Sequence, residues 1–187
     1  MSLASEPVAT LRRDLGRALR SGHPWIYREA LAVPPGLRTG ESVAVQDAGG
    51  RFVARGRYAA DSPLAVRVYT LDPAEAVDDA LLRRRLGQAL ALRRAALELR
   101  ETSAFRLCNG EGDLLPGVVV DVYDTVAVVR FDDAAAAAWR DALVAALRGL
   151  DVPVTAVIER GRGAQAAVLF GAAPGGEVTI REHGTPM

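Results

Sequence analysis

The chain has 187 residues, half of them hydrophobic, with 23 basic residues balanced by 23 acidic ones and one cysteine. That length allows one large domain or two small ones, and that hydrophobic share excludes a disordered chain. No apolar run approaches the roughly 20 residues of a membrane span, and one cysteine excludes an internal disulfide or a cysteine-based metal cluster.

Arg12 and Arg13 follow a mixed polar stretch with no apolar segment after them, so no signal peptide is read and a cytoplasmic protein is expected. All the basic residues are arginine, a bias that a GC-rich coding sequence explains. They are unevenly spread: residues 1–100 carry 16 Arg against 11 acids, a balance of +5, and residues 101–187 carry 7 Arg against 12 acids, a balance of −5. Arginine on one half suits phosphate contacts, because its planar guanidinium forks onto two oxygens.

In chain order, residues 11–22 (LRRDLGRALRSG) predict a short helix or turn closed by Gly22. Pro24 biases His23 towards extended backbone, and Trp25, Ile26 and Tyr27 favour a strand. The stretch 34–41 (PPGLRTGE) has loop composition. Three strands are predicted next: 42–47 with Val43 and Val45 on one face, 51–58 with Phe52, Ala54 and Gly56 opposite Arg51, Arg55 and Arg57, and 63–71 with Leu64, Val66 and Val68 alternating against Arg67. Short strands and glycine turns within about 70 residues suggest a small closed barrel. Residues 72–76 (DPAEA) read as a boundary with an N-cap and a first-turn proline. A helix over about 77–100 is predicted, with Leu82, Leu86, Leu90 and Leu97 as its apolar stripe and Arg93 within it.

The remainder predicts strands at about 104–108 and 117–123, a hairpin turning at residues 123–125, and one helix over 132–150, with about 133–148 as its body. Strands at about 154–159, 166–170 and 177–182 follow. The predicted fold class is α+β: a small barrel, then a β-β-α-β-β-β mixed domain, with the division at residues 1–72 and 73–187.

Residues 108–117 (CNGEGDLLPG) gather the cysteine, Glu111, Asp113 and three glycines. Paired carboxylates serve acid–base work or bind hard cations; they equally keep a connection between two strands solvated. No histidine is near in sequence to act as a base for Cys108, so a catalytic cysteine is not expected. The Gly-x-Gly of VIERGRGAQ (157–165) is followed by a strand-like segment and not by a crossover helix, so it reads as a hairpin turn and not as a cofactor loop. No Walker loop, nucleophile elbow or metal-spaced Cys/His set is present. The arginines at 51–57 with Tyr58 fit either a strand edge that tracks a phosphate backbone, with Tyr58 or Trp25 as stacking surface, or a solvated strand face. His23, beside Pro24 and Trp25, reads as structural and not as catalytic.

Three stretches in order, SGHPWIY (21–27), GRFVARGRYAADSPLAVRVYT (50–70) and RLCNGEGDLLPGVVVDVY (106–123), resemble bacterial large-subunit rRNA cytosine-C5 methyltransferases, and the resemblance covers roughly residues 11–184. NGEGDLLPGVVVD is its most specific piece. The resemblance implies a PUA domain, an RNA-binding module, followed by a small α+β linking domain. It implies rRNA as partner; Arg17, Arg20 and His23 near the first helix and Arg55, Arg57 and Tyr58 on the barrel are the contacts expected here, and Asn109, Glu111 and Asp113 are expected in an interdomain or structural loop. S-adenosylmethionine is the cofactor expected of the family. The family's Rossmann-like catalytic domain has no counterpart among these residues, so no catalytic residue, metal or cofactor site is expected, and the chain alone is expected to be inactive. The other reading is a protein-interaction or dimerisation module, which docks a catalytic domain or a second copy.

Overall fold

In a computed structural model of the chain, residues 6–161 and 166–187 are described. The predicted turn at 161–165 therefore lies largely outside the described residues. The chain divides into two compact units: Met1–Leu81 with Asp133–Ala138, and Leu82–Asp132 with Trp139–Met187.

Residues 6–78 give the first unit six strands and one short α-helix. They are β1 (Val8–Leu11), α1 (Gly16–Arg20), β2 (Trp25–Tyr27), β3 (Leu31–Ala32), β4 (Ser42–Gln46), β5 (Phe52–Tyr58) and β6 (Leu64–Thr70). The strand order is β2-β6-β5-β4-β1-β3. A three-residue 3-10 turn, Arg28–Ala30, links the two end strands β2 and β3. So short a link keeps the ends close, and the sheet curls into a nearly closed barrel. Its core is Ile26, Leu31, Val43, Val45, Ala54, Ala65 and Val66. Val43 and Val45 are buried as their alternation predicts.

β6 departs from the predicted alternation. Ala65 through Thr70 are buried without a break, Arg67 included. A guanidinium inside needs compensating charge, and Arg67 Nε donates to Asp133 Oδ2 at 2.9 Å. The same carboxyl group caps α3 (Ala134–Ala137), Oδ1 accepting from Ala136 N at 2.9 Å. Gly56 on β5 lies where the ladder with β6 shifts register. A Cβ built there would fall 2.0 Å from the Arg67 carbonyl oxygen, so β5 and β6 approach only with glycine at this position.

The second unit holds most of α2 (Asp79–Ala96), then β7 (Ala104–Asn109), β8 (Val118–Tyr123), β9 (Val126–Phe131), α4 (Arg140–Gly149), β10 (Ala156–Arg160) and β11 (Ala166–Phe170). Its sheet runs β11-β10-β9-β8-β7. The predicted hairpin joins β8 and β9, pairing Tyr123 with Val126 around Asp124 in left-handed backbone. Three strands, β7–β9, lie between α2 and α4, where the β-β-α-β-β-β prediction placed two before its helix. α2 starts at Asp79, later than predicted. Asp78 Oδ1 accepts from Leu81 N at 3.0 Å and caps the helix, whereas Asp72 turns back on Ala74 N. Leu82, Leu86 and Leu90 are buried, but α2 ends at Ala96, and Leu97 is exposed.

The single helix predicted over 132–150 is two helices, α3 and α4. The break falls at Ala138–Trp139, where the chain passes from the first unit to the second. The alanine run supplies helix propensity and its buried Ala135 and Ala136 belong to the first unit, whereas the fully buried Trp139, Leu143 and Leu147 belong to the second. The strand predicted at 177–182 shrinks to β12 (Arg181–Glu182), paired with β13 (Thr185–Pro186) around His183–Gly184, both at positive φ.

Replacing Gly56 with Ala should cost about 3 kcal/mol by forcing the backbones apart, read as a lower urea midpoint. An unchanged midpoint would show that the approach of β5 to β6 tolerates a side chain.

Candidate nucleic-acid interface

The first unit carries an open cleft of about 850 Å³ between α1 and the β4–β5 turn. Arg12, Arg13, Arg20 and Arg51 line it, with Asp14 and Asp47 as the only carboxylates among the lining residues, leaving an excess of two positive charges (4 − 2). Local chemistry builds its walls. Asp14 Oδ1 accepts from Gly16 N at 2.8 Å and opens α1, and Gly22, at positive φ, closes the helix's last turn. On the far wall, Asp47 folds the tight turn: Oδ1 accepts from Gly49 N and Arg51 N, and Oδ2 from Arg51 Nε at 2.9 Å. Those bonds, the Arg51 backbone N–H foremost, hold the Asp47 carboxyl below its ordinary range, so it stays ionised. Arg13 meets Glu29 at 3.3 Å, an exposed pair that water screens.

The six residues named as RNA contacts fall into two groups. Arg17, Arg20 and His23 are exposed on and after α1, with the His23 ring edge-on to Trp25 at 5.8 Å. Arg20 lines the cleft. Arg55, Arg57 and Tyr58 are turned into the fold. Arg55 Nε donates to Glu6 at 2.9 Å, and its Nη1 donates to the carbonyl oxygens of Pro73 and Glu75. Its side chain is only 13% exposed. Arg57 Nη1 donates to the Gly40 carbonyl at 2.5 Å, and burial lowers its guanidinium's pKa from the ordinary value. Tyr58 is buried, and its hydroxyl accepts from Arg28 Nη1 at 3.1 Å. The ring leaves no face for a base. The alternation of β5 does set Arg55 and Arg57 on one face, but Glu6 and the 72–76 segment cover that face. Arg51 belongs to the basic strand stretch 51–57 singled out in the sequence, whereas Arg12 and Arg13 were the cleft residues that strand-face reasoning passed over; the doublet at 12–13 ahead of a helix was their signal in the sequence.

In the second unit, residues 108–117 form a held loop. Gly110–Asp113 make a 3-10 turn, and Leu114 follows in left-handed backbone. Arg93 on α2 grips both Asp113 oxygens, Nη1 to Oδ1 at 2.5 Å and Nη2 to Oδ2 at 2.7 Å, and Asp113 Oδ2 also accepts from Asn109 N at 2.6 Å. The Asp113 side chain is 5% exposed. Arg85 donates to the Leu114 carbonyl. Asn109 is exposed, and Glu111 is half-buried. Cys108 is fully buried, its Sγ donating to the Val118 carbonyl at 3.3 Å, and burial pushes its thiol pKa up to about 12. Among the described residues no group of three or more His, Cys, Asp or Glu side chains is placed to hold a metal ion, and no helix is long and apolar enough to cross a membrane.

Residues 9–71 match the PUA-like domain family. The match spans the barrel that carries the cleft. Over 97% of its length the chain is 38% identical to the ribosomal RNA large subunit methyltransferase I of Alteromonas mediterranea, covering 47% of that protein. It is 36% identical to the protein of the same name from Klebsiella pneumoniae over 82% of this chain and 38% of that one. The chain therefore spans about half the length or less of these curated relatives. In fold it is similar to a solved structure from Streptococcus mutans described as a SAM-dependent methyltransferase, with a TM-score of 0.79 at 18% identity over 96% of this chain and 47% of that one.

Removing Asp113 leaves the Arg93 guanidinium partly buried without its carboxylate, so Asp113→Ala should lower stability by about 3 kcal/mol, whereas Glu111→Ala should cost well under half of that. Equal losses in chemical unfolding would contradict this account of the loop. A thiol-modifying reagent at pH 8 should leave folded protein unlabelled and label Cys108 only after denaturation; rapid labelling of native protein would contradict its burial.

Proposed function

We propose that the chain is the RNA-binding and substrate-positioning part of an S-adenosylmethionine-dependent enzyme that methylates cytosine C5 in large-subunit rRNA. The observation that carries this reading is the arginine-lined cleft on the PUA-like barrel, supported by similarity to rRNA methyltransferases along nearly the whole chain. In this reading residues 1–72 hold RNA and residues 73–187 link that module to a methyltransferase domain, which binds the cofactor. The working compartment is the cytoplasm.

The contacts assigned to RNA are Arg17, Arg20 and His23, joined by Arg12, Arg13 and Arg51. Guanidinium groups on the two walls of an open groove can fork onto successive phosphates, which gives affinity and register with little sequence preference. Arg55, Arg57 and Tyr58 support the barrel from within. Asn109, Glu111 and Asp113 belong to the linking part: Asp113 fixes the loop through Arg93, and Asn109 remains exposed for docking.

The test is titration of structured rRNA fragments at two salt concentrations. Binding should weaken steeply with salt, by a slope close to one for each phosphate contact. The triple variant Arg13→Ala, Arg20→Ala, Arg51→Ala should lose about three units of that slope and stay folded. No binding at low salt, or binding indifferent to salt, would overturn the proposal.

A further inference from the structure

The cleft beside α1 has an apolar side that phosphate contacts leave unused. Its walls carry arginine, but Leu11, Phe52, Val53 and Leu71 also line it. Leu71 is 39% exposed and Phe52 is half-buried. Sites that hold an organic group combine apolar surface with a few charged or polar side chains, whereas a phosphate chain alone has nothing to set against a phenyl ring.

Phe52 reaches the cleft through a break in the β4–β5 ladder. Alternation along β5 would turn it inward with Ala54 and Gly56. Val45 pairs with Ala54, but Gln46 pairs with Phe52, so Val53 is the extra residue of a bulge. Directly opposed residues share a face of the sheet. Val43 and Val45 face the core, and Gln46 faces away from it, its side-chain amide donating to the Thr10 hydroxyl at 3.0 Å. The bulge therefore sets Phe52 on the outer face with Arg55. The Arg55 guanidinium lies 5.3 Å from the ring centroid, and Glu6 and the Glu75 carbonyl hold that guanidinium in turn. A fixed cation against the ring keeps it in place at the cleft.

We propose that this cleft seats an unpaired RNA base on a floor of Phe52 and Leu71, while Arg12, Arg13, Arg20 and Arg51 take the phosphates on either side. The inference rests on the RNA reading above and adds the form of RNA that the site takes. Inside a duplex both faces of a base are covered by its neighbours, so only an unpaired base has a face to offer the ring. The excess of two positive charges among the lining residues selects a polyanion and not an apolar peptide as occupant. Stacking accepts any base, so the site distinguishes unpaired from paired RNA and not one sequence from another.

Fluorescence anisotropy of labelled RNA with the full chain tests it. The probes are a single-stranded oligouridylate, its duplex with oligoadenylate, and an abasic strand of equal length, which keeps the phosphates and lacks the bases. At equal salt the oligouridylate should bind about tenfold tighter than the abasic strand, the gain expected from one stacked base. Phe52→Leu keeps apolar bulk and removes the ring. It should lose most of that gain, leave binding of the abasic strand and the duplex unchanged, and keep the wild-type salt slope, which a lost phosphate contact would not allow. Phe52→Tyr should bind like wild type. If Phe52→Leu proves unfolded by circular dichroism, Leu71→Ala should show the same selective loss, and the abasic comparison on the wild type stands by itself. Equal affinity for the oligouridylate and the abasic strand, or a loss in Phe52→Leu that is as large for the duplex, would overturn this inference and leave the RNA reading standing. Failure of every probe to bind at low salt would overturn both.

Discussion

A guanidinium taken out of water must find oxygen atoms, and in this all-arginine protein that requirement sorts the cations into two populations. Arg28, Arg55, Arg57 and Arg67 are turned into the barrel unit. Their partners are the carbonyls of Ser62, Ala59, Gly40 and Glu75 and the carboxylates of Glu6 and Asp133. The geometry of the barrel follows from these bonds. Arg28 holds the turn between β5 and β6, Arg55 pins the segment after β6, and Arg67 holds the cap of α3. Breaking one would strand a charge in low dielectric, which costs several times more than an exposed pair is worth. These arginines are fixed in place, and the solvent-facing arginines that share one cleft are those around α1 and the β4–β5 turn.

The second unit uses the same device for a different end. Arg85 and Arg93 reach from α2 to a loop of glycines and acids and hold it in a shape with Leu114 in left-handed backbone and 59% exposed. A leucine in that conformation is sparsely populated and persists only where neighbours over-determine it. The buried Cys108 and the clamped Asp113 make the loop a rigid support with an exposed tip, and its carboxylate is occupied by structure and not available for proton transfer.

Much of this was legible in the sequence because it depends on local periodicity. Val43 and Val45, the stripe Leu82–Leu86–Leu90, the hairpin at Asp124–Thr125 and the strand at 166–170 all follow from alternation, helical spacing or turn chemistry. The resemblance of residues 50–70 to a PUA domain agrees with the barrel. Other features depend on partners distant in sequence. Nothing in GRFVARGRY says that Glu6 and the carbonyls after β6 will cover Arg55, so a basic strand face reads as solvent-facing when it is not. Nothing in the alanine run says that Trp139 will be drawn into a different core from Ala135 and Ala136, so two helices read as one. Asp133 was visible as a helix start, but its bond to Arg67, across 66 positions, was not.

The division between inward and outward arginines is tested most directly by mapping where RNA touches the chain. Amide hydrogen exchange, or NMR shift mapping with a structured rRNA fragment, should show changes concentrated at residues 12–23 and 47–52, with β5 residues 55–58 unaffected. Changes centred on Arg55, Arg57 and Tyr58, with the α1 segment silent, would contradict the account.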